Sequence, residues 1–257
     1  MSEPLFPARV RLLPLLVLLV VVAVWSALWL LQVFPPSVFP SPMAVARGLL
    51  EEVRTGRLLA DLVASLFRVT TGFMLAVVLG VPVGLWLGHH VRSRFALLPA
   101  INFFRSLSPL AWIPFAILWF GIGDLPAIFL IFMACFFPLV LATLAAVANI
   151  PSVYFRVARD YRFSGLELLT KVTLPAIAPQ VITSLRVIAG LAWLVVVAAE
   201  MIAGRDGLGF AIWDARNGLR MDLLVAGMTV IGVIGMLIDR ILMRLTKIRS
   251  VRWGYER

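Results

Sequence analysis

The sequence predicts an all-α membrane protein with six transmembrane helices, on three observations. Of 257 residues, 62% are hydrophobic and 14% charged, whereas soluble domains carry roughly 25% charged residues. A soluble fold of this make-up would expose a large apolar surface. The apolar residues run on without alternation, so the segments that satisfy their own backbone in lipid are helices rather than barrel strands. Charge is concentrated in the short breaks between these runs.

The first span is expected at about residues 12–31. It follows Arg9 and Arg11, as a signal peptide would, but its length and the lack of a small-x-small cleavage site favour a retained span. The proline-rich stretch Pro35–Pro42 cannot continue a helix. A polar helical segment from Met43 to Asp61 follows, with Arg47, Glu51, Glu52, Arg54 and Arg57 forming a mixed-charge cap. Spans two to four are expected at about 66–88, 95–120 and 125–147, with the turn Gly121–Asp124 before the fourth. A charged break, 148–175, separates them from spans at about 177–203 and 223–242. The whole chain reads as one transmembrane domain, 1–257, with its core at about 60–245.

Orientation follows from charge. With both termini cytoplasmic, the inside holds fourteen Lys and Arg and the outside seven, which agrees with the excess of basic residues in cytoplasmic loops. The net charge of +10 thus reflects orientation and contact with anionic lipid, and calls for no nucleic-acid partner.

Several chemistries are unsupported. No GxxxxGK[ST] occurs, and Lys171 and Lys247 are the sole lysines. The glycines of Gly204–Gly209 do not match GxGxxG and read as a turn ending the fifth helix. No HExxH, GxSxG or metal-ligand spacing occurs, so neither a catalytic residue nor a bound metal or cofactor is expected. Cys135 is the single cysteine, excluding an internal disulfide. His89 and His90 fit a membrane edge.

The charged break carries the functional signal. Asn149 and Pro151 suit a helix start. Val153, Val157 and Tyr161, with Tyr154 and Ala158 beside them, form an apolar strip at helical spacing, and Arg156, Arg159 and Arg162 lie largely off it. Gly165 allows a change of direction. A second short helix, Leu166 to Thr173, is expected to stop at Pro175. The product is a helix–turn–helix bracket facing the cytosol; the alternative is an amphipathic helix lying on the lipid surface.

These residues resemble the cytoplasmic loop of the permease subunits of binding-protein-dependent ABC importers. Ala158 and Arg159 match the Ala-Arg of that family's loop, and Leu174-Pro175 match its LeuPro. Arg156 stands where the family has Glu, and Arg162 where it has Gly, with Gly165 three residues later. Further stretches, Pro40–Val45, Ser108–Pro114, Leu118–Gly123, Ala198–Ile202, Gly207–Asn217 and Asp239-Arg240, are similar to the nitrate/sulfonate/taurine/bicarbonate branch.

The resemblance implies a type I ABC importer permease in a bacterial inner membrane, moving a small anion. Its partners would be a second permease copy, two cytoplasmic ATPase subunits holding ATP and Mg, and an external solute-binding protein. The loop residues Arg156, Val157, Ala158, Arg159, Asp160, Tyr161, Arg162, Gly165, Leu174 and Pro175 would couple to the ATPase. An energy-independent channel or a membrane scaffold are the alternatives from composition alone.

For the pathway, Arg105 and Arg186 each lie about ten residues into an apolar run, where charge is costly and faces protein or a wet cavity. They either line an anion route or are held by carbonyls or a carboxylate. Asn102, Ser106 and Ser108 lie near Arg105. Glu200 either pairs with Arg205 or gates the pathway. Trp112, Trp119, Trp193 and Trp213 read as interface anchors or solute gates.

Overall fold

The computed structural model describes residues 13–35 and 37–245. Arg9, Arg11, Lys247, Arg249, Arg252 and Arg257 from the charge comparison, its acids Glu3 and Glu256, and Pro36 lie outside them. Among the described residues there are helices and no strands. Five helices are long and apolar enough to cross a membrane, and a bent pair makes a sixth candidate. The described residues form two compact units, 13–59 with 211–230, and 60–210 with 231–245.

The first unit contains α1 (Leu13–Leu30), α2 (Pro42–Arg54) and parts of three helices described below. No residue of α1 is buried, and its sides are uniformly apolar, as suits a helix in lipid. After it the chain turns, and Trp25 Nε1 donates to the Pro40 carbonyl at 3.0 Å. Ser41 then caps α2, its hydroxyl accepting from the Ala44 amide at 3.1 Å, with Pro42 in the first turn where its missing N–H costs nothing. The expected helix from Met43 to Asp61 is in fact broken at Thr55–Gly56, because Gly56 takes φ +76°. Arg220 bonds Asp222 and Glu51, both at 2.9 Å, and these carboxylates push its guanidinium further above its already high range. Arg57 bonds Asp214 at 2.5 Å.

The second unit is built on α3 (Arg57–His89), α6 (Asp124–Ala148) and α9 (Leu174–Ala203). Apolar residues from α6 and α9, including Leu130, Ile131, Leu139, Val140, Ala192 and Val196, are buried between them. Glycines let α3 approach α6 closely: a Cβ on Gly84 would lie 2.6 Å from Thr143 Cβ, and one on Gly88 2.6 Å from Val147 Cβ. Small residues at such spacing are how lipid-embedded helices gain contact without a hydrophobic driving force.

The expected third span, about 95–120, is not one helix. It is α4 (Val91–Ser106) and, after a 3₁₀ turn at Pro109–Trp112, α5 (Ile113–Phe120), bent by 86°. Pro109 explains the break: a residue before proline is pushed out of the α region, and Ser108 sits at φ −61°, ψ 128°. Trp112 and Trp119 join Phe115, Phe120 and Phe129 in one aromatic cluster beside the bend.

The charged break forms α7 (Ser152–Asp160) and α8 (Gly165–Leu168), followed by a π-helical segment, Leu169–Thr173. The descending helix does not stop at Pro175, as expected. It runs on into α9, making one helical path from Gly165 to Ala203. Pro175 lacks the N–H that would bond the Lys171 carbonyl, and its ring crowds that carbonyl. The wider π turn at Leu169–Thr173 accommodates both. The chain ends with α10 (Leu208–Asn217) and α11 (Met221–Leu245).

Candidate functional site

The bracket is α7 and the arm from Gly165. Asn149, expected to start the first helix, instead caps the end of α6, and Pro151 precedes α7. A paired set of hydrogen bonds closes α7: the Phe163 amide donates to Ala158 O at 2.8 Å, and the Arg162 amide to Arg159 O at 2.9 Å. This termination requires a left-handed residue at position 162, usually glycine. Arg162 occupies it at φ +55°. The sequence departs from the family's glycine there, yet the backbone adopts the glycine conformation. Gly165 is also left-handed, at φ +53°, where the arm turns.

The apolar strip divides. Ala158 is buried, and Phe155 packs on Ile150, Ile177 and their neighbours. Val153, Tyr154, Val157 and Tyr161 stay exposed, with Leu166 beyond the turn. Arg156, Arg159, Asp160 and Arg162 are exposed as well. Behind the bracket lies a groove of about 750 Å³, lined by Tyr154, Val157, Phe163, Lys171, Pro175 and others. Leu174 and Pro175 stand at the head of α9. An exposed apolar face ringed by arginines suits a protein surface that is both apolar and acidic.

A second constellation is centred on Arg68, which the sequence reading counts only as one of the seven basic residues of the outer side. Arg68, on α3, is 2% exposed. Its Nη1 donates to Glu200 Oε1 at 2.8 Å and to the Asp206 carbonyl at 2.9 Å, its Nε to Asp124 Oδ1 at 2.7 Å, and its Nη2 to Asp206 Oδ1. Glu200 is fully buried and pairs with Arg68 rather than with Arg205. Its other oxygen accepts from Ser65 Oγ and from the Gly209 amide. The Leu208 amide donates to Ser65 Oγ, and the Gly207 amide to Asp61, both at 2.9 Å. The first amides of α10, which no helical carbonyl can satisfy, are thus capped by side chains from α3 and α9. Gly207 (φ +102°) must be glycine, since a Cβ would fall 2.5 Å from the Glu200 carboxyl carbon. The available signal was the spacing of Asp61, Ser65 and Arg68 on one helix face.

The remaining pathway candidates separate. Arg186 is held by Asp239 through two bonds, at 2.6 and 2.8 Å. Arg105 lies in the last turn of α4 at the 86° bend, exposed and without an ion pair among the described residues. Ser106 Oγ donates to the Asn102 carbonyl at 2.8 Å, and Ser108 sits in the break itself. The structure does not bring Arg186 or Glu200 into this group. Trp193 Nε1 donates to the Ile231 carbonyl at 3.1 Å, and Trp213 stacks under Arg216. Among the described residues no three His, Cys, Asp or Glu side chains gather as a metal site would need.

Residues 80–252 match the family model described as the binding-protein-dependent transport system inner membrane component. The chain is 35% identical over 244 residues to the taurine transport system permease protein of Escherichia coli, covering 93% of this chain and 88% of that one. It is 39% identical over 179 residues to the bicarbonate transport system permease protein of Synechococcus elongatus, covering 69% and 64%. Its fold resembles a chain of the methionine ABC transporter in an inward-facing conformation, with a TM-score of 0.66 at 18% identity, covering 74% of this chain and 94% of that one.

Proposed function

Since the chain belongs to the binding-protein-dependent transport system inner membrane components, and is thus an ABC transport permease, we propose that it forms the import pathway for a small anion across a bacterial inner membrane. Two copies assemble as a homodimer, both termini face the cytosol, and an external binding protein delivers the solute. Two ATPase subunits, which hold ATP and Mg, receive the bracket. Their closure moves the spans between inward- and outward-open states, a switch of packed elements with two arrangements.

The exposed bracket is the observation that carries this reading. Val153, Tyr154, Val157, Tyr161 and Leu166 present apolar side chains beside Arg156, Arg159 and Arg162, on a rigid helix with a fixed end. A lipid surface accepts apolar and basic side chains without a fixed shape; the left-handed turns at Arg162 and Gly165 instead shape a defined projection.

Anion selectivity is supported by Arg105. Arg68 and Arg186 are neutralised by carboxylates, and Arg105 has no such partner among the described residues. With Asn102, Ser106 and Ser108 at the bend it offers charge and hydrogen bonds to a permeating anion. The taurine and bicarbonate relatives carry anionic or zwitterionic solutes with an oxyanion group, consistent with that lining.

The test is co-purification followed by uptake. Expressed with the ATPase and binding protein encoded beside it, the chain retains the ATPase on detergent columns and takes up one of labelled nitrate, bicarbonate, taurine or methanesulfonate when ATP is supplied. Replacing Arg159 or Gly165 lowers uptake more than replacing Arg54. An ATPase that washes away, or loop variants that transport like the parent, would refute the proposal.

A further inference from the structure

His89 ends α3, and its ring meets both arms of the bracket. It stands edge-on to Phe155 of α7, with ring centres 6.3 Å apart at 90°. Its Nε2 lies 3.2 Å from Thr173 Oγ1 in the π-helical segment, and its Nδ1 lies 2.9 Å from the Leu85 carbonyl. A carbonyl can only accept, so Nδ1 carries the proton and, in the neutral ring, Nε2 accepts from the Thr173 hydroxyl. Thr173 is fully buried, so this hydroxyl has no access to water. Beneath the ring, a cavity of about 470 Å³ separates the end of α3 from the descending arm, lined by Pro82, Leu85, Trp86, Gly165 and Leu168. Away from this gap, Leu85 of α3 and Phe155 of α7 pack on one apolar cluster that includes Ile150 and Ile177; the directional contact between α3 and the arm is His89–Thr173.

We propose that His89 is a positioning residue for energy coupling: a strut that transmits movement of the bracket to α3 through Thr173 and Phe155. The inference rests on the bracket receiving the ATPase. The π segment strengthens it, because a local widening of this kind is where a helix can change register, and Thr173 is its last residue. Thr173 is buried and His89, though exposed, is not part of the exposed apolar face of the bracket, so their loss is expected to leave docking intact and to alter what docking achieves.

The experiment uses the full transporter in proteoliposomes, with an equimolar mixture of labelled nitrate, bicarbonate, taurine and methanesulfonate, and reads anions taken up per ATP hydrolysed. Losing one half-buried hydrogen bond of this kind corresponds to about a fivefold change in an equilibrium. His89→Ala and Thr173→Val each lower the ratio about fivefold, with ATPase still bound and hydrolysing. The double variant is no worse than His89→Ala alone, because Thr173→Val removes only a link that the histidine substitution has already removed. His89→Gln, which keeps an acceptor near the Nε2 position, restores at least half of the ratio. The proposal is overturned by ratios unchanged in both single variants, by losses that multiply in the double variant, or by a glutamine no better than alanine. An unsubstituted chain that retains no ATPase would instead overturn the reading beneath it.

Discussion

Replacing Arg68 with alanine removes the cation that Glu200, Asp124 and Asp206 share, and leaves Glu200 fully buried with its charge uncompensated among the described residues. Four donated hydrogen bonds go with it, to Glu200, Asp124 and two atoms of Asp206. Breaking a buried pair by removing one partner costs about 3–5 kcal/mol. For a chain of this size each kcal/mol moves the melting midpoint by about 2–4 °C, so the expected fall is about 6–20 °C. The protein carries its own reporter: Cys135 is the sole cysteine and is buried, so a thiol-reactive dye becomes fluorescent as the helices separate. The double variant Arg68→Met with Glu200→Gln removes both charges but keeps an oxygen to accept from the Ser65 hydroxyl and the Gly209 amide, and should regain part of the loss. A fall of less than about 2 °C for Arg68→Ala, or a double variant no more stable than the single one, would refute the assignment of Arg68 as the centre of this network.

Gly84→Ala places a methyl 2.6 Å from Thr143 Cβ between two long helices; a loss of about 1–3 kcal/mol is expected from forced separation, read by the same dye. Gly207→Ala meets both an unfavourable φ and the Glu200 carboxyl, so it should match or exceed that loss, and no change in melting would contradict the capping of α10. Arg162→Gly relieves a left-handed arginine and should stabilise the bracket by about 1 kcal/mol, seen as slower amide exchange at Ala158–Phe163. Exchanging the charges, Arg186→Asp with Asp239→Arg, should recover the expression lost in either single variant, and failure to do so would separate the two residues functionally. By contrast Lys171→Ala breaks an exposed pair with Glu167 and should shift stability by less than about 0.5 kcal/mol.

The membrane class, the helical character and the bracket were legible in the sequence because each follows from local properties. Long apolar runs force internally bonded helices whatever their neighbours, and the proline and glycine positions punctuate them. Even there the punctuation was misread twice. Pro175 looked like a stop, but a π turn carries the helix past it. Pro109 lies inside the expected third span, about 95–120, and there the chain bends by 86°.

What composition and spacing determined on their own was the solvent, the number of crossings to within one, and a polar bracket able to meet a partner. Tertiary structure alone decided which of these charges are paired among the described residues. Arg68, Arg105 and Arg186 look alike along the chain; the carboxylates that silence the first and third arrive from segments more than fifty residues away. Pairing of buried charge depends on distance in space, and in lipid it outweighs any local preference, so no window of sequence could have revealed it.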